Sequence, residues 1–399
     1  MFKMKVVLAY SGGLDTSICI KWLMDEYDAE VITLTLNLGQ DETDLKKIEE
    51  KAKKLGAVKT ISLDARAEFI KQYINPSIKA NGLYQKTYPL STALGRPLIA
   101  KHLVEVANKQ GAECISHGST GKGNDQVRFE LAVRALNPDL NIIAPAREWD
   151  LTRDSAIDYA KKHNISVSVG KKNPYSIDVN LWGRSIEAGP LEELTSRPDE
   201  NIYEWTTSPV KAPDEPKKIV LGFERGLPIS LDGVRLDELD LIKKLNKLGG
   251  KHGIGRIDTI EDRLVGIKSR EIYECPGAKI ILYAHYELEK LTLSREQINF
   301  KQMVESKWSQ MVYYGLWHEP LKNDLDFFIE HTQDTVSGEI GLILYKGNII
   351  NASRKSPHSL YDKGLATYEL GDRFNHRLAE GFIRLWGLPS EIAARKRKK

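Results

Sequence analysis

Short apolar runs rich in β-branched residues alternate with helical patterns from Lys5 to about Ser168. The runs KVVLAY, EVITLTL and VKTISL are separated by two predicted helices, one near Asp15 to Asp25 and one over Asp44 to Leu55. Strands that alternate with helices are joined by crossover connections, which produce a parallel sheet with helices on both faces. The pattern therefore predicts an α/β domain whose ligands lie beyond the carboxyl ends of the strands.

The same alternation continues further along the chain. The segment AECISHG follows a helix predicted to begin near Arg96, and NIIAPAR follows a helix predicted to begin near Asn124. Thr152 is predicted to cap one more helix, which ends about His163. These elements extend the predicted parallel sheet.

The composition changes near Lys171, where Pro, Gly and charged residues replace the alternation. We predict an ATP-binding domain over 1–170, a second, α+β domain over 171–371 and a C-terminal helical tail over 372–399. In the second domain, Asp232-Gly233 indicates a tight turn between strands, and GEIGLILYKGNIINASRK indicates two strands around Lys346-Gly347-Asn348. The segment DELDLIKKLNKLGG predicts an amphipathic helix that ends at its glycines.

Composition favours a soluble globular protein that acts on small molecules. Apolar residues form 41% of the chain, and 58 basic against 55 acidic residues leave a net charge of only +3. So small a charge gives no large positive field, so we expect no nucleic-acid partner. The terminal RKRKK is more typical of a solvated helix end than of a nucleic-acid site.

The cysteines, the histidines and the first residues bear on the cellular compartment, on metal binding and on membrane association. Cys19, Cys114 and Cys275 are widely spaced and form no CxxC pair, which argues against a disulfide framework or a zinc cage and suits a reducing cytoplasm. The nine histidines lack ligand spacing, so we assign no protein-held metal. The apolar run at the start is too brief for a signal peptide or a membrane span, and we expect no membrane partner.

The segment AYSGGLDTS, Ala9 to Ser17, takes a strand directly into a glycine turn and a helix. Glycines allow the backbone to approach an anion, and the hydroxyls and first-turn amides supply donors at the positive end of the helix dipole. No lysine follows, so the segment is not a Walker A loop. A carboxylate at Asp15 beside polyphosphate requires a divalent cation, which predicts Mg²⁺-ATP. The alternative is that Asp15 and Thr16 simply cap the helix.

This loop resembles that of the N-type ATP pyrophosphatases, which have a Rossmann-like fold of the HUP type. Members of that group cleave ATP between the α- and β-phosphates and adenylate a carbonyl-type oxygen. The group includes several ligases and tRNA-thiolating enzymes, and the loop alone does not choose among them.

A second glycine-rich loop, HGSTGKGNDQVRFE from His117 to Glu130, also follows a predicted strand and opens a helix. It clusters an acid and a base at Asp125 and Arg128, three residues apart. Opposite charges beside a helix N-terminus suit a zwitterion such as an amino acid. The alternative is a solvated helix start with an intrahelical ion pair.

The same segment closely resembles the argininosuccinate synthase signature HGATGKGNDQVRFE and differs from it only at Ser119. The likeness continues through YPLSTALGRPLIAKHL, PYSIDVNLWGRSIE, GGKHGIGRIDTIEDRLVGIKSREIYECPG, VYYGLWHEP and LYKGN. It implies a ligase of arginine biosynthesis that joins L-citrulline to L-aspartate at the expense of ATP through a citrullyl-adenylate. It also implies a homo-oligomer, typically a tetramer, with tails that embrace neighbouring subunits.

The resemblance implies roles for individual residues. The ATP site would comprise Ala9, Tyr10, Ser11, Gly12, Gly13, Leu14, Asp15, Thr16, Ser17, Leu36 through its backbone, and Gly118. Aspartate would meet Thr120, Asn124 and Asp125, and Asp125 would orient its amine in catalysis. Citrulline would meet Tyr88, Thr92, Asn124, Arg128, Ser176, Ser185, Glu261 and Tyr273. The chain has Ala93 after Thr92 where relatives often have serine, so that serine contact to citrulline is absent or replaced.

Two other functions compete with this one. A tRNA thiolase would require a reactive cysteine and a basic RNA-binding surface, and neither is apparent. A nucleotide-binding regulatory protein without catalysis would show damage in SGGLDTS or GKGNDQ, and both motifs are intact.

Overall fold

The computed structural model describes residues 3–40, 45–149, 153–163, 165 and 174–397. Five strands form the N-terminal sheet: β1 Lys5–Ala9, β2 Glu30–Asn37, β3 Lys59–Asp64, β4 Cys114–Ser116 and β5 Asn141–Ile143. The helices of this part are α1 Leu14–Tyr27, α2 Leu45–Lys54, α3 Arg66–Phe69, α4 Asn75–Lys79, α5 Ser91–Gln110, α6 Asn124–Leu136, α7 Pro145–Glu148 and α8 Arg153–Lys162, and a π-helical segment, Ile70–Ile74, joins α3 to α4.

The N-terminal sheet is parallel, with the strand order β3-β2-β1-β4-β5. Side chains of β1 alternate between its two faces, as expected for a strand. Val6 and Leu8 join a core cluster with residues of α1, whereas Val7 joins the cluster that contains residues of α5 and α6. Both faces are therefore covered, and the predicted α/β fold with its Rossmann-like sheet is confirmed.

Helix α5 begins at Ser91, so the prediction of a start near Arg96 was wrong. Pro97 lies inside this helix, where it removes one backbone hydrogen bond. Ala93, Leu94 and Pro97 are buried, and their burial offsets that cost. The predicted cap Thr152 and the predicted domain boundary at 170/171 lie outside the described residues.

The C-terminal part contains two antiparallel sheets, ordered β10-β9-β8-β13-β14 and β11-β12-β7-β6. The strands are β6 Ser176–Asn180, β7 Gly183–Glu187, β8 Lys217–Glu224, β9 Leu227–Leu231, β10 Val234–Arg235, β11 Arg256–Asp262, β12 Lys268–Glu274, β13 Gly338–Tyr345 and β14 Asn348–Lys355. The helices are α9 Glu238–Lys251, α10 Pro276–Thr292, α11 Arg295–Tyr313, α12 Pro320–Thr332, α13 Lys363–Ala366 and α14 His376–Arg397, with 3₁₀ turns at Gly189–Glu192, Glu200–Ile202 and Gln333–Thr335.

Two local predictions for this part fare differently. Asp232 and Gly233 have φ angles of 53° and 78° and form the predicted tight turn between β9 and β10. Helix α9, however, runs through Gly249 and Gly250 to Lys251 instead of ending at the glycines. A Cβ at Gly250 would lie 2.0 Å from the carbonyl oxygen of Trp205, so this glycine permits a close approach of backbone to the helix.

One hydrophobic core extends across both parts of the chain. It includes Val7 of β1, Leu98 of α5, Tyr273 of β12 and Leu342 of β13. Helix α5 packs against β6 and β7, which brings the second antiparallel sheet up to the parallel one. The continuous core therefore holds residues from distant segments at fixed positions relative to one another.

The C-terminal helix α14 lies outside that core, and its described side chains are not buried. Leu378, Phe382 and Trp386 are 70%, 61% and 73% exposed. The helix therefore does not pack its apolar side chains against the rest of its own chain. Among the described residues, none of the helices is both long enough and apolar enough to cross a membrane.

Candidate active site

The loop between β1 and α1 has the shape expected of an anion cradle. Gly12 has a φ angle of +79°, and a Cβ there would lie 2.7 Å from Cγ1 of Ile48. Gly13 occupies the N-cap of α1, and the amide of Ser17 donates to its carbonyl oxygen at 3.1 Å. First-turn amides of a helix have no carbonyl acceptor within the helix and are available to an anion.

The hydroxyl groups of the loop divide into two kinds. Ser17 is buried, its Oγ donates to the Gly13 carbonyl oxygen at 2.6 Å, and it lies 3.2 Å from Oη of Tyr10. Ser11 is exposed, and its Oγ lies 3.1 Å from Oγ1 of Thr16. Ser17 and Tyr10 thus hold the shape of the loop, whereas Ser11 and Thr16 remain near its open side.

The loop after β4 lies directly beside the loop after β1. A Cβ at Gly118 would lie 3.1 Å from Cγ2 of Thr16 and 3.7 Å from its amide nitrogen. Leu36 lies on the neighbouring strand β2, where its side chain is buried and its carbonyl oxygen accepts from Nε2 of Gln40. The structure therefore brings the predicted ATP residues together at the carboxyl ends of adjacent parallel strands.

Behind the second loop, a partly exposed ion pair joins the middle of α6 to α7. Nη1 of Arg147 lies 2.6 Å from Oε1 of Glu130, and Nε2 of His117 lies 3.4 Å from the same oxygen. The contacts with His117 and Arg147 lower the pKa of Glu130 to about 2. Glu130 therefore remains ionised at neutral pH and holds His117 at the end of β4.

Asp125, in the first turn of α6, lies between two arginines. Nε of Arg96 donates to its Oδ2 at 2.9 Å, and Nη1 of Arg128 donates to its Oδ1 at 3.0 Å. Burial alone would raise the pKa of Asp125, but the two guanidinium groups outweigh burial and lower it. Arg96 also contacts Oδ2 of Asp178 at 2.9 Å. The pair at Asp125 and Arg128 is thus part of a partly buried network, not a solvated helix start.

A buried carboxylate joins α6 to the C-terminal part of the chain. Glu261 accepts hydrogen bonds from Oη of Tyr273 and Oη of Tyr313, both at 2.7 Å. Nδ2 of Asn124 donates to Oη of Tyr313 at 2.8 Å, and the amide of Leu264 donates to Oδ1 of Asn124. Burial raises the pKa of Glu261 despite the two tyrosine hydrogen bonds.

Stacked aromatic rings and hydrogen bonds connect the residues around Glu261 to α5 and β7. The rings of Tyr88 and Tyr273 stack with centroids 4.1 Å apart, and the amide of Thr92 donates to Oη of Tyr88 at 2.8 Å. Oγ1 of Thr92 lies 3.3 Å from Oγ of Ser185, which pairs with Tyr273 across the sheet. Six predicted citrulline residues thus form one connected set: Tyr88, Thr92, Asn124, Ser185, Glu261 and Tyr273.

The remaining predicted residues lie around this set. Arg128 stacks its guanidinium on the ring of Tyr313 at 4.7 Å and donates from Nε to the Tyr313 carbonyl oxygen at 3.0 Å. Thr120 is exposed in the second loop, Ser176 is exposed at the start of β6, and Ala93 is fully buried on α5. Neither Thr120 nor Ser176 joins the hydrogen-bonded set in this structure.

Several residues of the site were not identified from the sequence. They are Arg96, Asp178 and Tyr313 of the networks above, Lys51 of α2, and Arg263, which pairs with Glu187 and Glu271. Of these residues, all but Lys51 fall within the segments that carry the family likeness, so the likeness could have pointed to them. Within the described residues, no cluster of three or more His, Cys, Asp or Glu side chains could hold a metal ion.

Comparison with known proteins shows the family of this chain. The family model described as the arginosuccinate synthase N-terminal HUP domain matches residues 5–166, and the one described as the C-terminal domain matches 175–393. The chain is 52% identical to the argininosuccinate synthase of Symbiobacterium thermophilum, over 100% of this chain and 99% of the relative. It is 55% identical to that of Pyrococcus furiosus, over 98% and 94% of the two chains. With both family models and full-length relatives in agreement, this chain belongs to the argininosuccinate synthase family.

Proposed function

We propose that this protein is an AMP-forming carbon–nitrogen ligase that condenses L-citrulline with L-aspartate and yields argininosuccinate, AMP and pyrophosphate. The single observation that supports it most is the contact between Gly118 and Thr16. That contact sets the loop before α1 beside the loop that leads into α6, which supports a common site for nucleotide and amino acids. A ligase of this kind must hold ATP and two amino acids within bonding distance of one another.

The reaction proceeds in two displacements. The ureido oxygen of citrulline attacks the α-phosphorus, the bond to the bridging oxygen of the β-phosphate breaks, and its electron pair leaves with pyrophosphate. The amine of aspartate then attacks the activated carbon, loses a proton, and AMP departs with the former ureido oxygen. No covalent bond to the protein is required, so the residues of the site act by positioning and electrostatics.

Each substrate has a proposed set of contacts. ATP occupies the loop from Ala9 to Ser17, with Gly118 and the Leu36 backbone. Citrulline occupies the set linked by Glu261 and the tyrosines, together with Arg128 and Ser176. Aspartate meets Thr120, Asn124 and Asp125. The lowered pKa of Asp125 suits a carboxylate that orients an ammonium or amine and makes it a weak base.

Magnesium enters this proposal as the partner of ATP. Asp15 is exposed in the first turn of α1, and a single carboxylate beside a phosphate loop suits a cation held mainly by phosphate oxygens and water. Mg²⁺ would neutralise charge on the phosphates when bound. Asp15 would help to hold it, together with the hydroxyls of the loop.

We also propose that the protein is a homotetramer of the cytoplasm. The exposed apolar side chains of α14 support an assembly in which a partner subunit covers them. The three cysteines are free and buried, which suits a reducing compartment. Burial raises the pKa of the Cys19 and Cys275 thiols to about 12, which disfavours the thiolase alternative, since that chemistry uses a thiolate.

The proposal is tested with ATP, Mg²⁺ and citrulline labelled with heavy oxygen at the ureido position, with and without aspartate. We expect argininosuccinate to form only with aspartate and the label to appear in AMP. Label that is found in water, or AMP formation without argininosuccinate, would refute the proposed reaction.

A further inference from the structure

Helix α2 brings a lysine to the nucleotide loop. Nζ of Lys51 donates to the carbonyl oxygen of Gly12 at 2.8 Å. Ile48 lies one turn earlier on the same helix face and packs beneath Gly12, where a Cβ would meet it at 2.7 Å. The contacts of Ile48 and Lys51 thus hold α2 against the loop, with the ammonium group of Lys51 beside Gly12.

Among the described residues, no carboxylate compensates the charge of Lys51. It forms no ion pair with a carboxylate of the described residues, and burial lowers its pKa. The deeply buried lysines of the second domain differ, because Lys301 lies 2.9 Å from Glu289 and Lys322 lies 2.6 Å from Asp326. A partly buried cation whose partner within the described residues is a carbonyl oxygen costs free energy unless a ligand supplies the negative charge.

The loop itself lacks a basic residue from Ala9 to Ser17. Its amides and hydroxyls offer only partial positive charge, whereas the group that leaves ATP in this reaction carries several negative charges. An ammonium group has three donors, and the bond to Gly12 uses one of them. The other two donors of Lys51 are available to phosphate oxygens.

We propose that Lys51 binds the β- and γ-phosphates of ATP and stabilises pyrophosphate as it leaves. This inference rests on the proposed function, and it assigns to α2 the cation that a Walker A loop carries within its own sequence. As the bond between the α-phosphorus and the bridging oxygen breaks, the electron pair moves onto pyrophosphate. The ammonium of Lys51 then faces the oxygens that gain charge, while the new bond forms to the ureido oxygen of citrulline.

The test compares the binding of inorganic pyrophosphate and of AMP at a fixed excess of magnesium by titration calorimetry. The variants are Lys51→Met, Lys51→Arg and, as a matched control, Lys54→Met, since Lys54 lies on the same helix and is exposed. We expect Lys51→Met to weaken pyrophosphate binding by about 10- to 100-fold, in line with the loss of a charged hydrogen bond, and to change AMP binding by less than about threefold. Lys51→Arg should keep most of the affinity, and Lys54→Met all of it.

A measurement of proton uptake distinguishes a lysine that contacts pyrophosphate from a lysine with a purely structural role. If pyrophosphate contacts Lys51, binding raises its lowered pKa, so wild-type protein takes up protons at pH 9 and Lys51→Met takes up fewer. Proton uptake is obtained from binding heats in buffers of different ionisation enthalpy. Pyrophosphate binding and proton uptake that are unchanged in Lys51→Met, or equal losses for pyrophosphate and AMP, would overturn the inference. Lysine-dependent pyrophosphate binding without argininosuccinate formation would instead uphold it and refute the proposed function.

Discussion

Arg96 and Asp125 form an ion pair in which Nε and Nη2 of the guanidinium lie 2.9 Å and 2.8 Å from the same carboxylate oxygen. Arg128 holds the other oxygen of Asp125. The carboxylate is therefore fixed on both sides, and this rigidity suits a group that orients an amine without taking its proton permanently.

The pH dependence of the reaction should reflect this pairing. The pKa of Asp125 is lowered. The ionised carboxylate therefore stabilises the folded protein fully above the unfolded-state pKa of about 3.9, and this stabilisation is lost as pH falls through the lower folded-state pKa. We expect kcat/KM for aspartate to show no acidic limb from Asp125 between pH 5.5 and pH 9. A limb with an apparent pKa near 6 that disappears in Asp125→Asn would contradict this.

Replacing Asp125 by asparagine should remove charge while keeping shape. We expect kcat/KM for aspartate to fall about 30-fold or more, which corresponds to about 2 kcal/mol for a charged contact. The ATP KM should change little, because the loop before α1 is untouched. Steady-state kinetics with each substrate varied in turn provide the measurement, and an equal loss for all three substrates would instead indicate damage to the whole site.

Arg128→Leu should weaken citrulline binding more than ATP binding. Nε and Nη1 of Arg128 donate to the Tyr313 carbonyl oxygen and to Asp125. Within the described chain Nη2 forms no hydrogen bond, which leaves it for a substrate carboxylate. We expect the citrulline KM to rise at least about tenfold, with a smaller rise in Arg128→Lys, which keeps the charge but loses the planar fork. Unfolding is monitored for both variants, and equal losses for citrulline and ATP would place Arg128 elsewhere.

Gly12→Ala should impair ATP binding for two separable reasons. The new Cβ would meet Ile48 at 2.7 Å, and the φ angle of +79° is strained for alanine by about 1 kcal/mol. Adding Ile48→Ala removes the clash and should restore part of the ATP affinity. Gly111→Ala is the control, because Gly111 has a φ angle of +60° with no atom within 4 Å of the added Cβ. It should lower stability modestly and leave ATP affinity unchanged, and a full rescue by Ile48→Ala would mean that strain at Gly12 is negligible.

Deleting residues 372–399 should change the oligomeric state. The apolar side chains of α14 are exposed on the single chain, and in the proposed tetramer a partner subunit covers them. We expect light scattering to show a shift from tetramer to dimer or monomer, with partial loss of activity. A folded, soluble truncated protein that keeps the same number of subunits as the full-length protein would contradict the proposal that α14 holds the tetramer together.

The local sequence was sufficient to predict those features that depend on the backbone preferences of neighbouring residues. The strand, glycine turn and helix from Ala9 to Ser17, and the loop that opens α6 at Asn124, follow from glycine conformation and helix-start chemistry. The Asp232-Gly233 turn follows in the same way, because the φ angles it needs are intrinsic to those residues. The parallel sheet follows from the alternation of strands and helices, which leaves few topologies.

Tertiary structure decided the contacts between distant residues. Lys51 meets Gly12 across 39 positions, and Arg96 meets Asp125 across 29. Nothing in the local sequence separates Lys51 from Lys53 or Lys54, since all three suit the same helix equally well. The start of α5 and the passage of α9 through Gly249 and Gly250 were likewise set by packing against other segments. Local patterns report backbone preferences of neighbouring residues, whereas the partner of a buried side chain depends on which face of each element the common core covers.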